Sequence, residues 1–317
     1  MEKEKRKHIG IVGIMGILIL GIIIFIVLKL VIWNKSGDNI VMEDVPEGTY
    51  DSESLDIVFN VDPSLTEGKD DGVNTILCIH DGILDYKTIG GTVSLCDYLR
   101  EIPNSEIISI PLYASQVADA INAYAGPVEN YWQAGNLYDV VYALCNNDLS
   151  LQKMSVDNGG HVAETQYEAL CSVDMDKVDT IFIMYDSADY SNASILYNPE
   201  DDYDTTTYEG ALRASLGLLQ KTHPEIRVVF GSSFFHGVIQ DDHVVSAAMV
   251  NYGNGTLSEY VKRAYNIVME RGLSYLDNYY NLINEENLGD YCSVDTLTDE
   301  GIKLLGEHMK DYFQRKY

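Results

Sequence analysis

Polar side chains that could do chemistry follow three apolar runs of the sequence. The groups are His80, Asp81 and Asp85 after the run at 75–79, Asp186, Ser187 and Asp189 after the run at 180–184, and Ser232, Ser233 and His236 after the run at 227–230. A serine hydroxyl beside an imidazole can act as a nucleophile, because the imidazole accepts the hydroxyl proton. One interpretation is therefore a hydrolase with Ser187, Ser232 or Ser233 as nucleophile and His80 or His236 as base.

Two other interpretations use the same residues. Converging carboxylates bind hard cations such as Ca²⁺ through their oxygens, and the candidates for such a site are Asp81, Asp85, Asp186 and Asp189. Loop serines, by contrast, more commonly cap helices and satisfy backbone groups. The acidic stretch at 200–204 is typical of a solvated surface and does not by itself indicate a metal loop.

The polar groups must be positioned by the elements that precede them. Short apolar runs lie at 75–79, 106–110, 180–184, 227–230 and 273–276, and segments of helical periodicity lie at 93–102, 116–123, 137–145, 208–222, 257–271 and 299–313. Thr298 is the predicted N-cap of the last helix. Alternating buried strands and helices indicate an α/β fold with a flavodoxin-like doubly wound parallel sheet, of strand order 2-1-3-4-5. Ligands bind such sheets at the carboxyl ends of the strands, where the polar groups lie.

Several blocks of the sequence, in the right order, carry a resemblance to a known family. The blocks are ILCIHDGILD at 76–85, VDTIFIMYDSADY at 178–190, PEDDYDTTTYEGALR at 199–213, GTLSEYVKRA at 255–264 and TDEGIKLL at 298–305. From about residue 74 onward, the chain resembles the SGNH/GDSL hydrolases, in particular a membrane-anchored bacterial branch. The resemblance implies an SGNH-hydrolase-like fold and a serine hydrolase site. In that family a serine amide, a glycine amide and an asparagine side chain hold the oxyanion.

The sequence departs from the family at every position with a diagnostic role. Gly82 stands at the nucleophilic serine, Ala188 at the oxyanion asparagine, and Ser293 and Thr296 at the paired acid and histidine. The family's second conserved block would lie near 109–115 in this sequence, and that stretch contains no glycine. Glycine cannot be acylated, and Thr296 cannot replace an imidazole base. The resemblance therefore predicts a vestigial cleft, formed by His80, Asp81, Asp186, Ser187 and Asp189.

These departures favour a non-catalytic protein that acts in binding or scaffolding at the cell surface. The alternative is an active acyl or acetyl esterase on cell-envelope glycan, with a rearranged catalytic set. We expect no cofactor and no metal. Cell-wall glycan or a membrane O-acyltransferase is a partner suggested by fold-level analogy alone.

The amino-terminal segment predicts a membrane anchor. The residues at 9–33 contain a single charge, Lys29, and would extend roughly 38 Å as a helix, enough to cross a hydrocarbon core of about 30 Å. A cleaved signal peptide is the rival interpretation, but no small-residue cleavage pattern follows. The basic run at 3–7 places the amino terminus in the cytoplasm. We therefore expect a cytoplasmic tail at 1–8, a single-pass anchor at 9–33, a linker at 34–72 and an extracytoplasmic domain at 73–317.

Composition excludes one class of partner and leaves two further questions open. With 49 acidic and 21 basic residues, the chain would repel phosphate backbones, so nucleic acid is excluded as a partner. The five cysteines are widely spaced and indicate buried free thiols such as Cys78 and Cys145, although one disulfide is left open. The 23 tyrosines allow a sugar-binding platform, and the clustered candidates are Tyr279 and Tyr280, and Tyr124, Tyr131 and Trp132.

The expected strand order makes one geometric prediction. The first and third strands are neighbours, so His80 and Asp186 should face each other at their carboxyl ends. An imidazole beside a carboxylate gains a charge-assisted hydrogen bond. We therefore expect a His80–Asp186 pair in which the pKa of the histidine is raised and that of the aspartate is lowered.

Overall fold

The computed structural model describes residues 55–67, 71–113, 115–119, 130–280 and 282–315. Within these ranges, no helix is both long enough and apolar enough to span a membrane. The predicted anchor at 9–33 and the predicted tail at 1–8 lie outside the described residues, as does Tyr124.

A five-stranded parallel sheet forms the centre of the fold. The strands within the described ranges are β1 (Asn74–His80), β2 (Ser105–Pro111), β3 (Thr180–Met184), β4 (Arg227–Gly231), β5 (Gly237–Gln240), β6 (His243–Ser246), β7 (Ser274–Leu276), β8 (Cys292–Ser293) and β9 (Thr296–Leu297). The central sheet has the order β2-β1-β3-β4-β7, and β5-β6 and β8-β9 are separate antiparallel pairs. Taken along the central sheet alone, this order is the predicted 2-1-3-4-5. His80 is in register with both Pro111 and Met184, so three strands end at one edge.

Helices cover both faces of the sheet. They are α1 (Leu95–Arg100), α2 (Leu137–Asn146), α3 (Ser150–Asp157), α4 (Glu164–Cys171), α5 (Ala188–Ser191), α6 (Tyr208–Thr222), α7 (Leu257–Glu270), α8 (Leu288–Tyr291) and α9 (Asp299–Gln314). Alternate residues of β1 belong to two different cores. Leu77 and Ile79 join the core that contains α2, α6 and α7, whereas Ile76 and Cys78 join the core that contains α1 and α9. This double burial explains the continuous apolar runs of β1, β3 and β4, whereas the outer strand β2 is mostly half-buried and includes Glu106 and Ser109.

The structure confirms most of the predicted helices and corrects one. The helix at 208–222 has the predicted bounds, and the Thr298 hydroxyl accepts a hydrogen bond from the Gly301 amide at 3.1 Å, as an N-cap does. The helix expected at 116–123 is not formed at 116–119, and residues 120–123 lie outside the described ranges. The Val117 and Ala118 amides donate instead to the buried carboxylate of Asp189, at 2.7 and 3.1 Å.

Part of the predicted linker packs against the domain. Ile57 exchanges two main-chain hydrogen bonds of 2.8 Å with Tyr275 on the edge strand β7. The carboxylate of Asp56, which is 2% exposed, contacts Arg315 at 2.9 Å and His308 at 3.3 Å. The folded domain therefore includes residues before 73.

All five cysteines are free thiols. Cys78, Cys96 and Cys292 are buried, Cys145 is half-buried and Cys171 is exposed. The free-thiol interpretation is confirmed, although Cys145 is less buried than expected.

Candidate functional site

A cavity of about 320 Å³ lies at the edge where the central strands end. The cavity is lined by the turn after β1, by one residue after β2, by one residue after β3, and by the β8–β9 hairpin. The lining residues are Asp81, Gly82, Ile83, Asp85, Tyr86, Tyr113, Asp186, Asp295, Thr296 and Leu297. Parallel strands deliver their polar ends to a common cleft, and this cavity is at the expected place.

The buried ring of His80 organises the turn after β1. Its Nδ1 atom accepts hydrogen bonds from the amides of Gly82 at 3.1 Å and Leu84 at 3.3 Å. The ring proton is therefore on Nε2, which lies 2.9 Å from the Ser109 hydroxyl, and that hydroxyl in turn donates to Asp85 at 3.0 Å. Burial lowers the pKa of His80 to about 4, against the opposing effect of Asp85. The imidazole is neutral and serves as a fixed acceptor.

Gly82 occupies a backbone conformation that favours glycine. Its φ angle is 113°, in the left-handed region. A Cβ atom added at this residue would lie 2.6 Å from Cδ1 of Tyr113. The space that a side chain would fill at position 82 is therefore taken by the tyrosine ring.

Two carboxyl groups meet at the base of the cavity. Asp81 accepts hydrogen bonds from the Asp186 amide at 2.9 Å and the Ile83 amide at 3.3 Å. Burial, followed by the charge of Asp186, raises the pKa of Asp81 to about 7. Burial also raises the pKa of Asp186, while His236 and the Ser233 hydroxyl act in the opposite direction. The cleft therefore holds carboxyl groups whose negative charge is poorly compensated.

Solved structures share this architecture. A protein from Lactobacillus plantarum matches with a TM-score of 0.51 at 17% sequence identity, covering 78% of this chain and 99% of that one. A possible lipase from Chitinophaga pinensis matches at 0.46 and 15% identity, covering 76% and 97%, and a candidate GDSL-like lipase from Bacteroides ovatus at 0.43 and 11%, covering 77% and 99%. No family model and no curated protein matches the chain. The Lactobacillus plantarum protein, with a TM-score above 0.5, shares the fold of this chain. At these identities the likeness concerns the fold.

The fold brings together two of the four positions at which the sequence departs from the family that it resembles. Gly82 and Thr296 both line the cavity. Thr296 lies in the β8–β9 hairpin, where its hydroxyl donates to the carbonyl of Ser293 at 3.1 Å. Ala188 and Ser293 are not among the residues that line the cavity. Asp189, in the block at 178–190, is 4% exposed, and its carboxylate accepts hydrogen bonds from the amides of Val117 and Ala118.

The two serines after β4 are buried, and their hydroxyl groups form hydrogen bonds with groups other than an imidazole. The Ser233 hydroxyl donates to Asp186 at 2.6 Å, and the Ser232 hydroxyl accepts from the Asn278 amide at 2.8 Å. His236 is 1% exposed and donates from Nδ1 to the carbonyl of Gly237 at 2.8 Å. Its Nε2 atom has no hydrogen-bond partner among the described residues. The Ser233 hydroxyl thus donates to the Asp186 carboxylate and not to an imidazole base.

The predicted His80–Asp186 pair is wrong. Both ring nitrogens of His80 are occupied by Ser109 and by main-chain amides, while the Asp186 carboxylate accepts from Ser233. The pKa directions are the reverse of those expected, because burial outweighs any charge-assisted contact.

The cation and sugar interpretations find no support in the described part of the chain. There, no group of three or more His, Cys, Asp or Glu side chains is arranged to hold a metal ion. Tyr279 is 4% exposed and meets Tyr280 edge-on, with ring centroids 4.9 Å apart, so the pair presents no flat face. Trp132 is half-exposed beside His161, with ring centroids 5.4 Å apart.

Three residues in or beside the cleft are not among those predicted from the sequence. Tyr113 covers position 82, Asp295 contributes a further carboxylate, and Ser109 links His80 to Asp85. Tyr113 follows the apolar run at 106–110 by three residues. This position just after a predicted strand could have placed Tyr113 at the cleft.

Proposed function

We propose that this protein is a non-catalytic SGNH/GDSL hydrolase-like module that acts in binding or scaffolding. One observation carries the proposal. At position 82, the residue has no side chain, its Cβ position is filled by Tyr113, and its amide donates to His80.

Each chemical requirement of ester hydrolysis is affected. Gly82 offers no hydroxyl to be acylated, and Thr296 offers no imidazole to accept a proton. The amide of residue 82, which would hold the oxyanion, is already bonded to His80 at 3.1 Å. Ala188 supplies no side-chain donor, and one such donor contributes roughly 2.7–4 kcal/mol in comparable sites. What supports a binding role is the cavity of about 320 Å³ that persists beside these changes.

We further propose that the module is held outside the cell membrane by the apolar run at 9–33, with the amino terminus in the cytoplasm. The length of that run and the basic residues before it support this orientation. Cell-wall glycan or a membrane O-acyltransferase would then be within reach of the cleft.

Turnover of short acyl p-nitrophenyl esters tests the proposal. We expect the purified full-length chain in non-ionic detergent to give no hydrolysis above the rate of buffer. Hydrolysis that is abolished by Ser187→Ala, Ser232→Ala or Ser233→Ala would contradict it.

The second candidate is an esterase with a rearranged catalytic set. The 2.6 Å contact between Ser233 and Asp186, near a histidine with an unpartnered Nε2 atom, favours it. For Ser233 to act as nucleophile, His236 would have to displace Asp186 as its partner and the hydroxyl would have to become accessible, since Ser233 is 6% exposed. Ser233→Ala is therefore the variant that separates the two candidates.

A further inference from the structure

The cavity walls carry one sign of charge. Asp81, Asp85, Asp186 and Asp295 contribute to the lining, and none of the described lining residues is Lys, Arg or His. Asp295 has an exposed carboxylate, and Asp81 is bound by two main-chain amides instead of a cationic side chain. The whole chain has a formal net charge of -28. An anionic ligand would be repelled from such a cleft, and a cationic one attracted to it.

The remaining walls are aromatic and aliphatic. Tyr86 and Tyr113 present rings, and Ile83 and Leu297 present alkyl groups. The Tyr113 side chain is 55% exposed while its ring covers position 82, so one ring lies between the cleft and the solvent. Aromatic faces attract cations through the ring quadrupole, and alkyl walls accommodate the carbon skeleton of a ligand. This wall chemistry is an observation independent of the carboxylates.

The size of the cavity limits the ligand to a small molecule. Its volume of about 320 Å³ is at the lower end of the range for small-molecule sites, roughly 300–1,000 Å³. A bare metal ion does not explain the aromatic walls, and the described residues contain no group of three ligating side chains arranged around one point.

We infer that the cleft binds a small organic cation, an alkylammonium group whose charge lies beside Asp81 and Asp295 and whose carbon skeleton lies against Tyr86 and Tyr113. The inference rests on the proposed non-catalytic function, because it assigns the binding role to the cleft that has lost its nucleophile.

The electrostatics of the cleft make the binding depend on pH. Asp81 faces Asp186 and Asp189 as well as the amides of Ile83 and Asp186, and its pKa is raised to about 7. Ionised Asp81 attracts the ligand and protonated Asp81 does not. Binding is therefore stronger at pH 8 than at pH 6, by up to about tenfold if only the ionised form binds.

Titration with n-butylammonium and with its neutral analogue n-butanol tests the inference. The full-length chain in non-ionic detergent is monitored by ligand-observed NMR at pH 8 and at pH 6. We expect butylammonium to bind at least about tenfold more tightly than butanol, since an ion pair with a carboxylate is lost in the alcohol. Equal binding of the two, or no butylammonium binding, would overturn the inference.

Matched variants locate the site. Asp295→Asn should weaken butylammonium binding, whereas Asp290→Asn, at an exposed residue that does not line the cavity, should leave it unchanged. Tyr113→Leu should weaken binding about threefold and Tyr113→Phe should not, because phenylalanine keeps the aromatic face. Equal effects within either pair would place the ligand elsewhere.

The failure of this inference is distinguishable from the failure of the proposed function. Calcium that competes with butylammonium and binds more tightly would show a metal site and overturn the organic ligand class. Ester turnover that depends on a serine would overturn the non-catalytic function, whether or not butylammonium binds.

Discussion

At residue 82 both the backbone conformation and the neighbouring ring oppose a side chain. The φ angle of 113° and the Tyr113 ring at 2.6 Å from the position of a Cβ atom both oppose a side chain there. His80 adds to this by accepting the Gly82 amide. The surroundings of Gly82 thus oppose a side chain and occupy its amide, so a serine placed there alone would not be a free nucleophile.

Gly82→Ser should therefore produce no serine-dependent esterase activity. The new side chain would be strained by the positive φ angle, would meet Tyr113, and would find Thr296 where a base is required. The measurement is the rate of p-nitrophenyl acetate hydrolysis, compared with that of the unchanged chain. The double variant Gly82→Ser/Tyr113→Ala, which relieves the contact with the ring, is the control and should also be inactive. A rate above that of the unchanged chain in either variant would show that another group acts as the base.

At the scale of elements, the segment around Asp56 behaves as part of the domain. Its carboxylate contacts Arg315 and His308 of the carboxyl-terminal region, and Ile57 pairs with the edge strand β7. Covering an edge strand in this way protects it from pairing with other chains.

Asp56→Ala should lower the free energy of unfolding by about 2–4 kcal/mol, because it removes a buried acceptor and leaves Arg315 without this contact. Urea denaturation followed by circular dichroism measures the change. Asp62→Ala, at an exposed residue of the same segment, should change it by less than about 0.5 kcal/mol. Equal effects of the two variants would argue against a docked segment.

The central strands β1, β3 and β4 could be predicted from sequence because burial on both faces leaves a continuous apolar run in each one. The predicted run at 180–184 is β3 to the residue. The predicted helix is absent at 116–119 because apolar periodicity does not show that Asp189, more than 70 positions away, accepts hydrogen bonds from the amides at 117 and 118. Tyr113 could be placed near the cleft from its position after β2, but its contact with residue 82 depends on the paths of two loops. The His80–Asp186 pair failed for a similar reason, since nearer main-chain donors occupy the imidazole.

At the scale of the whole molecule, buried carboxyl groups make stability depend on pH. Burial raises the pKa of Asp81 and of Asp139 to about 7 each, so the folded chain holds protons that the unfolded chain releases. Their contribution is fully present at low pH and is lost as the pH rises through about 7. The pKa of His80 is lowered to about 4, so this residue makes the folded chain less stable as the pH falls. That loss of stability is important mainly below the unfolded histidine pKa of about 6.5.

We therefore expect the free energy of unfolding to increase by about 1 kcal/mol between pH 8 and pH 6.5. Urea midpoints at the two pH values measure this change. In the double variant Asp81→Asn/Asp139→Asn the increase should largely disappear. A protein that is less stable at pH 6.5 than at pH 8 would contradict the account of the buried carboxyl groups.

The whole chain is also expected to have one orientation in the membrane. The run at 9–33 and the basic residues before it predict that everything after the anchor lies outside the cytoplasm. Protease added to intact cells should degrade the acidic domain and leave a short anchored stub. Full-length protein that is protected in intact cells, but cleaved after permeabilisation, would indicate the reverse orientation.

Labelling with a fluorophosphonate probe tests the absence of a catalytic serine most directly, since this reagent modifies activated serines regardless of the natural substrate. The full-length chain, treated with the probe and digested for mass spectrometry, should carry no adduct on any serine. Gly82→Ser should likewise remain unlabelled. An adduct on Ser187, Ser232 or Ser233 that forms in the native chain, but not in the urea-unfolded chain, would contradict the account and identify the nucleophile of a rearranged hydrolase.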